Sequence, residues 1–190
     1  MLRNRSVLAG IFIGIGGYVF LSASYKELGA FLFSLGLLTV IIRQYSLYTG
    51  KIGYLGNIKE LPPLLLMWVG NALGACLMGL LASMALKDCA FELISKKLEL
   101  DYLSVFLRSV MCGVLIYIAV ELYKKTQMPI LVILPIMVFI LCGFEHCIAD
   151  VFYFSAALSF NPESLVFIII CTFGNSVGSI ALKLLEKYNI

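Results

Sequence analysis

Charge is what this 190-residue chain has least of: 13% of its residues are charged and 62% are hydrophobic. Soluble domains carry about a quarter charged residues, so the deficit excludes a soluble globule, a disordered chain and a nucleic-acid binder. The net charge of +3 is too small to imply a polyanionic partner. Histidine occurs once, and no paired zinc-ligand spacing is present. Nothing resembles a nucleotide-binding loop, which argues against primary active transport. No cofactor or metal is expected. Six cysteines are present, but Cys76, Cys112, Cys142, Cys147 and Cys171 lie in apolar runs and read as buried thiols. Only Cys89 sits among loop-like residues. What the chain has in abundance is long apolar sequence, the mark of an integral membrane protein in contact with lipid.

A hydrocarbon core about 30 Å thick needs about 20 apolar residues per helix. Charge-free runs at 6–25, 61–86, 126–144 and 164–182 meet that need. Two more, 28–55 and 102–123, suffice if Arg43 and Lys51, or Arg108 and Glu121, are allowed inside. Pro62-Pro63 opens the third run, and Asn161-Pro162-Glu163 opens the last as cap, first-turn proline and dipole-favoured acid. The chain therefore reads as one all-α transmembrane domain, 1–190, with six spans at 6–25, 28–55, 61–86, 102–123, 126–158 and 162–184. Arg3 and Arg5 before the first run, with Ser22-Ala23-Ser24 after it, also fit a cleaved signal; the length of the run favours a retained helix. With the N-terminus inside, eight basic residues (Arg3, Arg5, Lys51, Lys59, Lys124, Lys125, Lys183, Lys187) face the cytoplasm and four (Lys26, Lys87, Lys96, Lys97) face outward. That bias predicts both termini in the cytoplasm and residence in the cell (inner, cytoplasmic) membrane.

Gly70-Asn71-Ala72-Leu73-Gly74 and Gly174-Asn175-Ser176-Val177-Gly178 repeat one pattern 104 residues apart. Small residues at this spacing suit a helix-packing face; direct contact with a solute is the other reading. The recurrence predicts two three-span halves of opposite orientation, an inverted repeat with its path near the midplane. Residues 43–51 interrupt the second span and residues 143–150 the fifth, the latter two turns beyond Pro135. Both spans are expected to be broken helices, whose freed backbone groups must face protein or a water-filled cavity.

The segment Gly143-Phe144-Glu145-His146-Cys147-Ile148-Ala149-Asp150 resembles the G-F-E-H-S-I-A-N signature of the formate/nitrite transporter family. Leu47-Tyr48-Thr49-Gly50 is similar to the family's L-F-T-G loop, and Phe33-Ser34-Leu35-Gly36-Leu37 and both G-N-x-x-G segments fall in the family's order. The resemblance extends from about Leu8 to Leu184. It implies an aquaporin-like six-helix protomer, a homopentamer with one pore per subunit, and passage of a small anionic solute.

His146, at membrane depth on a helix break, is the leading pore residue, since intramembrane ionisable groups line cavities and pathways. An anion such as formate could share a proton with it and cross as the neutral acid. The resemblance implies this pore-centre role for His146, with Thr49 as its hydroxyl partner, Phe33, Leu37 and Phe139 as constrictions, and Lys97 as a vestibule lysine. A solvated loop lysine is the other reading of Lys97, and Lys96 is equally available. Glu145 holds the broken helix or relays a proton. Gly113 stands where the family has an asparagine, and Asp150 where its signature ends in asparagine; Asp150 could pair with His146 one turn away. Arg43, Arg108 and Lys51 are expected to neutralise Asp150 and Glu121. The leading function is a channel or transporter for small monovalent weak-acid anions, passive or proton-linked. A channel for a small neutral solute and a non-transporting structural homologue stay open. An intramembrane enzyme built on Glu145, His146 and Cys147 is disfavoured, because consecutive helical residues fan apart.

Overall fold

The computed structural model describes residues 2–188. The side chains of Leu2, Arg3 and Tyr188 lie outside the described residues. Seven α-helices follow one another among the described residues: α1 (Leu2–Ser22), α2 (Lys26–Ile42), α3 (Leu61–Leu98), α4 (Tyr102–Thr126), α5 (Ile130–Leu141), α6 (Cys147–Ala156) and α7 (Pro162–Tyr188). Two single 3-10 turns, Ile52–Tyr54 and Ile58–Glu60, lead into α3.

Local chemistry sets most ends. Pro62 and Pro63 occupy the first turn of α3, where their missing N–H groups cost nothing. The Asp101 carboxylate caps α4 by accepting from the Ser104 N–H at 3.0 Å and the Ser104 hydroxyl at 2.6 Å. The α7 start is a reciprocal cap: the Ser164 N–H donates to the Asn161 side chain at 2.8 Å, and the Asn161 N–H to the Ser164 hydroxyl at 2.9 Å. α4 stops at Gln127, which takes a left-handed φ of 58°.

Among the described residues four helices are long and apolar enough to cross a membrane: Asn4–Ser22, Ile58–Leu98, Tyr102–Thr126 and Pro162–Lys187. The expected spans 28–55 and 126–158 are not continuous helices. α2 ends at Ile42 and residues 43–51 run irregularly. α5 ends at Leu141 and α6 begins at Cys147. The irregular run in the second half is therefore shorter than the sequence suggests, because Cys147–Asp150 are already helical. α3 continues past the end of its charge-free run and bends at Leu86, whose φ of −126° and ψ of 16° are not helical. Beyond the bend it carries Lys96 and Lys97 to Leu98.

The helices pack in matching sets. α1 lies against α3 and α2, α4 against α7 and α5, and α2 meets α5 between the two groups. The outer helices also cross over: α3 covers α6, and α7 covers the 3-10 turn at Ile52–Tyr54. Close approach depends on glycine. A Cβ on Gly74 would run into the Val7 carbonyl of α1, and one on Gly178 into the Val110 carbonyl of α4.

Exposure is inverted relative to a soluble protein. Leu66 and Ile169 are 64% and 67% exposed, and the exposed α3 face also carries Leu73, Leu77, Leu80 and Leu81. Asn71, Asn175, Ser109, Ser179, Glu145 and Asp150 are buried instead. Apolar outside and polar inside is the distribution that hydrocarbon solvent requires.

Candidate functional site

Each irregular segment is held by one asparagine from the last long helix of its half. Asn71 of α3 accepts from the Tyr48 N–H at 2.8 Å and donates to the Ser46 and Ser6 carbonyls at 2.8 and 2.7 Å. Asn175 of α7 accepts from the Cys147 N–H at 3.0 Å and donates to the Glu145 and Ser109 carbonyls, both at 2.8 Å. One carboxamide thus satisfies the backbone on either side of Leu47, and the other does so on either side of His146. Both asparagines are fully buried. Away from water these bonds supply the backbone partners that the interrupted helices lose. The two left-handed residues that turn the chain out of α2 and α5 are Gln44, with φ 54°, and Gly143, with φ 66°.

These clamps set His146 opposite Thr49. The Thr49 Oγ1 and His146 Nε2 atoms are 3.0 Å apart, and both residues are buried. The other ring nitrogen, Nδ1, accepts from the Ala149 N–H at 3.2 Å, which makes His146 the cap of α6. A nitrogen that accepts from a backbone N–H carries no proton, so the imidazole is the neutral Nε2–H tautomer. Nε2–H then donates to the Thr49 hydroxyl.

Of the apolar residues singled out with His146, Phe139 lies against it and Phe33 lies against Phe139. The Phe139 ring stacks over the imidazole at 6.0 Å between centroids and meets Phe33 edge-on at 5.9 Å. Phe33 and Leu37 are each 1% exposed. Two cavities lie toward opposite ends of α2. One of about 360 Å³ is lined by Leu37, Leu47, Gly50, Lys51, Tyr123 and Lys124, among others. The other, about 110 Å³, is lined by Lys26, Lys97, Phe139, His146, Asp150 and Tyr153, among others. They share no lining residue: Leu37 lines the first, and Phe139 and His146 line the second.

The charged residues sort differently from the sequence expectation. Lys97 Nζ bonds the Glu145 carboxylate and lies 3.0 Å from Asp150 Oδ1. Lys96 instead pairs with Glu92 at 2.7 Å, both well exposed. Asp150 also accepts from the Cys171 thiol at 3.3 Å. The suggested His146–Asp150 pairing is absent among the described contacts, because Nδ1 is spent capping α6 and the carboxylate turns to Lys97. Nor, among the described residues, do Arg43, Arg108 or Lys51 form an ion pair with Asp150 or Glu121. Arg43 and Lys51 are exposed beyond the end of α2, by the far cavity from Asp150. Arg108 Nη1 donates to the Gly143 carbonyl at 3.2 Å, supporting the left-handed turn. Glu121 accepts from the Tyr54 hydroxyl, with Lys124 and Lys125 at 3.6 and 3.9 Å.

The Glu145 carboxylate pairs with Lys97 and the His146 imidazole with Thr49 and the Ala149 N–H, so neither is paired with the Cys147 thiol among the described contacts. Gly113 packs against α7: a Cβ there would strike the Asn175 backbone. Among the described residues no group of three His, Cys, Asp or Glu is placed to hold a metal ion. The asparagines are what sequence reasoning missed. Their recurrence was visible, and the glycines beside them do pack helices. An amide kept at mid-helix in both halves was the signal that a backbone in each half needed capping.

The sequence model described as formate/nitrite transporter matches residues 2–188. Among solved structures, an FNT family ion channel (FNT abbreviating formate/nitrite transporter) superposes with a TM-score of 0.90 at 19% identity, covering 99% of this chain and 89% of the other. A pentameric formate channel with formate bound superposes with a TM-score of 0.86 at 25% identity, covering 98% and 95%. No curated protein matches the chain by sequence.

Proposed function

The chain belongs to the formate/nitrite transporter family, and from that premise we propose that it conducts small monovalent weak acids, of which formate is the first candidate, through a pore centred on His146. The family is one of integral membrane transporters and channels. In this reading four long helices cross the membrane singly, α2 with its irregular segment makes a fifth crossing, and α5 with α6 makes the sixth. The two halves are then an inverted repeat with both termini in the cytoplasm. The equivalent clamps of Asn71 and Asn175 support that symmetry. A homopentamer in the cytoplasmic membrane follows the assembly of the formate channel to which the chain is similar.

The observation that carries the proposal is the Thr49–His146 contact, set in an apolar constriction between two cavities. An ion stripped of water there meets a large desolvation cost, whereas a neutral acid does not. The imidazole N–H and the threonine hydroxyl offer hydrogen bonds at the narrowest point, and the histidine can give or take a proton. Phe33, Leu37 and Phe139 exclude water on either side.

Proteoliposomes loaded with a pH-sensitive dye test this directly. Added formate should acidify the lumen faster than in protein-free vesicles of the same lipid. Equal rates would overturn the proposal.

A further inference from the structure

Tyr48 is held through its N–H, its carbonyl and its hydroxyl, and the last of these bonds crosses between the two halves of the chain. The N–H donates to the Asn71 side chain at 2.8 Å. The carbonyl accepts from the Lys51 and Ile52 N–H groups at 2.9 and 2.8 Å, which turns the chain just beyond Thr49. The hydroxyl lies 2.9 Å from the Ser176 Oγ atom of α7. The Ser176 hydroxyl hydrogen is spent on the Thr172 carbonyl at 2.7 Å, so the Tyr48 O–H donates and Ser176 accepts. Tyr48 is buried, and the phenylalanine of the L-F-T-G motif it resembles would have no hydroxyl to make this bond.

Tyr48 directly precedes Thr49, and Ser176 directly follows Asn175, the clamp of the His146 segment. The bond therefore joins the stretch that carries the hydroxyl of the pore contact to the helix that holds the imidazole. Among the described residues, the hydrogen bonds of residues 43–51 reach the second half at two points, Thr49 on His146 and Tyr48 on Ser176. A solute that bonds to Thr49 and His146 opens the first of these. The second is left to keep the two irregular segments in register while the first is open. We propose that Tyr48 is a positioning residue: through Ser176 it holds the Thr49 hydroxyl at the distance from His146 at which both can bond one small solute. The inference rests on the channel reading above and adds to it a residue that acts through Thr49.

Tyr48→Phe removes the donor, keeps the ring that fills the space, and leaves Ser176 bonded to Thr172. Formate influx into proteoliposomes should fall about fivefold, the order of one hydrogen bond's net worth. On a Thr49→Val background the same substitution should change nothing further, because the hydroxyl it positions is gone. A second readout needs no flux. The chain has one histidine, so nitrogen-isotope labelling of histidine gives a single Nδ1 and a single Nε2 signal by NMR. Thr49→Val should move the Nε2 signal, and Tyr48→Phe should move it the same way by less, with Nδ1 unmoved on the Ala149 N–H. Ser176→Ala removes the bond from its other end and should reproduce Tyr48→Phe in both readouts, which keeps the test in force if one variant fails to fold. The inference falls if Tyr48→Phe leaves formate influx at the wild-type rate, if it slows influx by the same factor with and without the Thr49 hydroxyl, or if the Nε2 signal stays at its wild-type position. Wild-type influx no faster than in protein-free vesicles would remove the channel reading instead, and the Nε2 signal would still decide whether Tyr48 positions Thr49.

Discussion

Thr49 Oγ1 stands 3.0 Å from His146 Nε2, across 97 residues of sequence. Each residue sits on an irregular stretch of one half, and each stretch is braced by an asparagine from the far end of that half. Removing the hydroxyl while keeping the shape isolates this contact. Thr49→Val should strand the buried imidazole N–H and lower stability by about 1–3 kcal/mol. Formate flux should fall with it, and Thr49→Ser should recover both. Thermal unfolding in detergent and vesicle flux check the two parts separately.

The clamps predict a matched pair of losses. Asn175→Ala leaves the Cys147 N–H and the Glu145 carbonyl without the partners they have, and Asn71→Ala does the same to Tyr48 and Ser46. Each stranded buried group costs about 1–3 kcal/mol. The two variants should melt lower by similar amounts, as equivalent positions in two halves require. A large loss at one position with none at the other would argue against the equivalence.

Neighbouring lysines should behave in opposite ways. Lys97→Met strands two buried carboxylates and is expected to cost about 3–5 kcal/mol. Lys96→Met removes a surface pair and should cost within about 1 kcal/mol. Comparing the two melting curves tests the assignment, and so does Arg108→Leu, which frees only the Gly143 carbonyl and should cost less than Lys97→Met.

How far the sequence could be read is seen in these same residues. The two interruptions were legible because polar groups stand out in apolar runs, and His146 was legible as the one histidine among them. The partners of the charges were not. A charge at membrane depth announces that it needs neutralising, but the choice among Arg43, Arg108, Lys51 and Lys97 depends on where helices end. The apolar run of α3 stops at Leu86, so the residues alone put Lys97 in a loop and only the family resemblance singles it out; the helix bends at Leu86 and carries Lys97 to the cavity that His146 also lines. Likewise Asp150 sits one turn after His146, yet the imidazole's use as a helix cap sends the carboxylate elsewhere.

Glycine substitutions test the packing that holds the two halves. Gly74→Ala and Gly178→Ala each place a methyl against a backbone carbonyl, of Val7 and Val110, which cannot move as a flexible side chain can. Both should destabilise by about 1–3 kcal/mol, the cost of overpacking. Gly56, whose added Cβ would meet only the Glu60 carboxylate at 4.0 Å, is the control and should be nearly neutral in the same melting assay.

The central claim is that His146 is the point at which a weak acid crosses. The most direct measurement is formate influx into proteoliposomes under an imposed inward proton gradient, wild type against His146→Ala. The account predicts that wild-type influx exceeds that of protein-free vesicles and rises as the outside is acidified. His146→Ala should change the rate by about tenfold, the worth of 1.36 kcal/mol in the barrier, and flatten its response to pH. Wild-type and His146→Ala rates that coincide at every pH would contradict it.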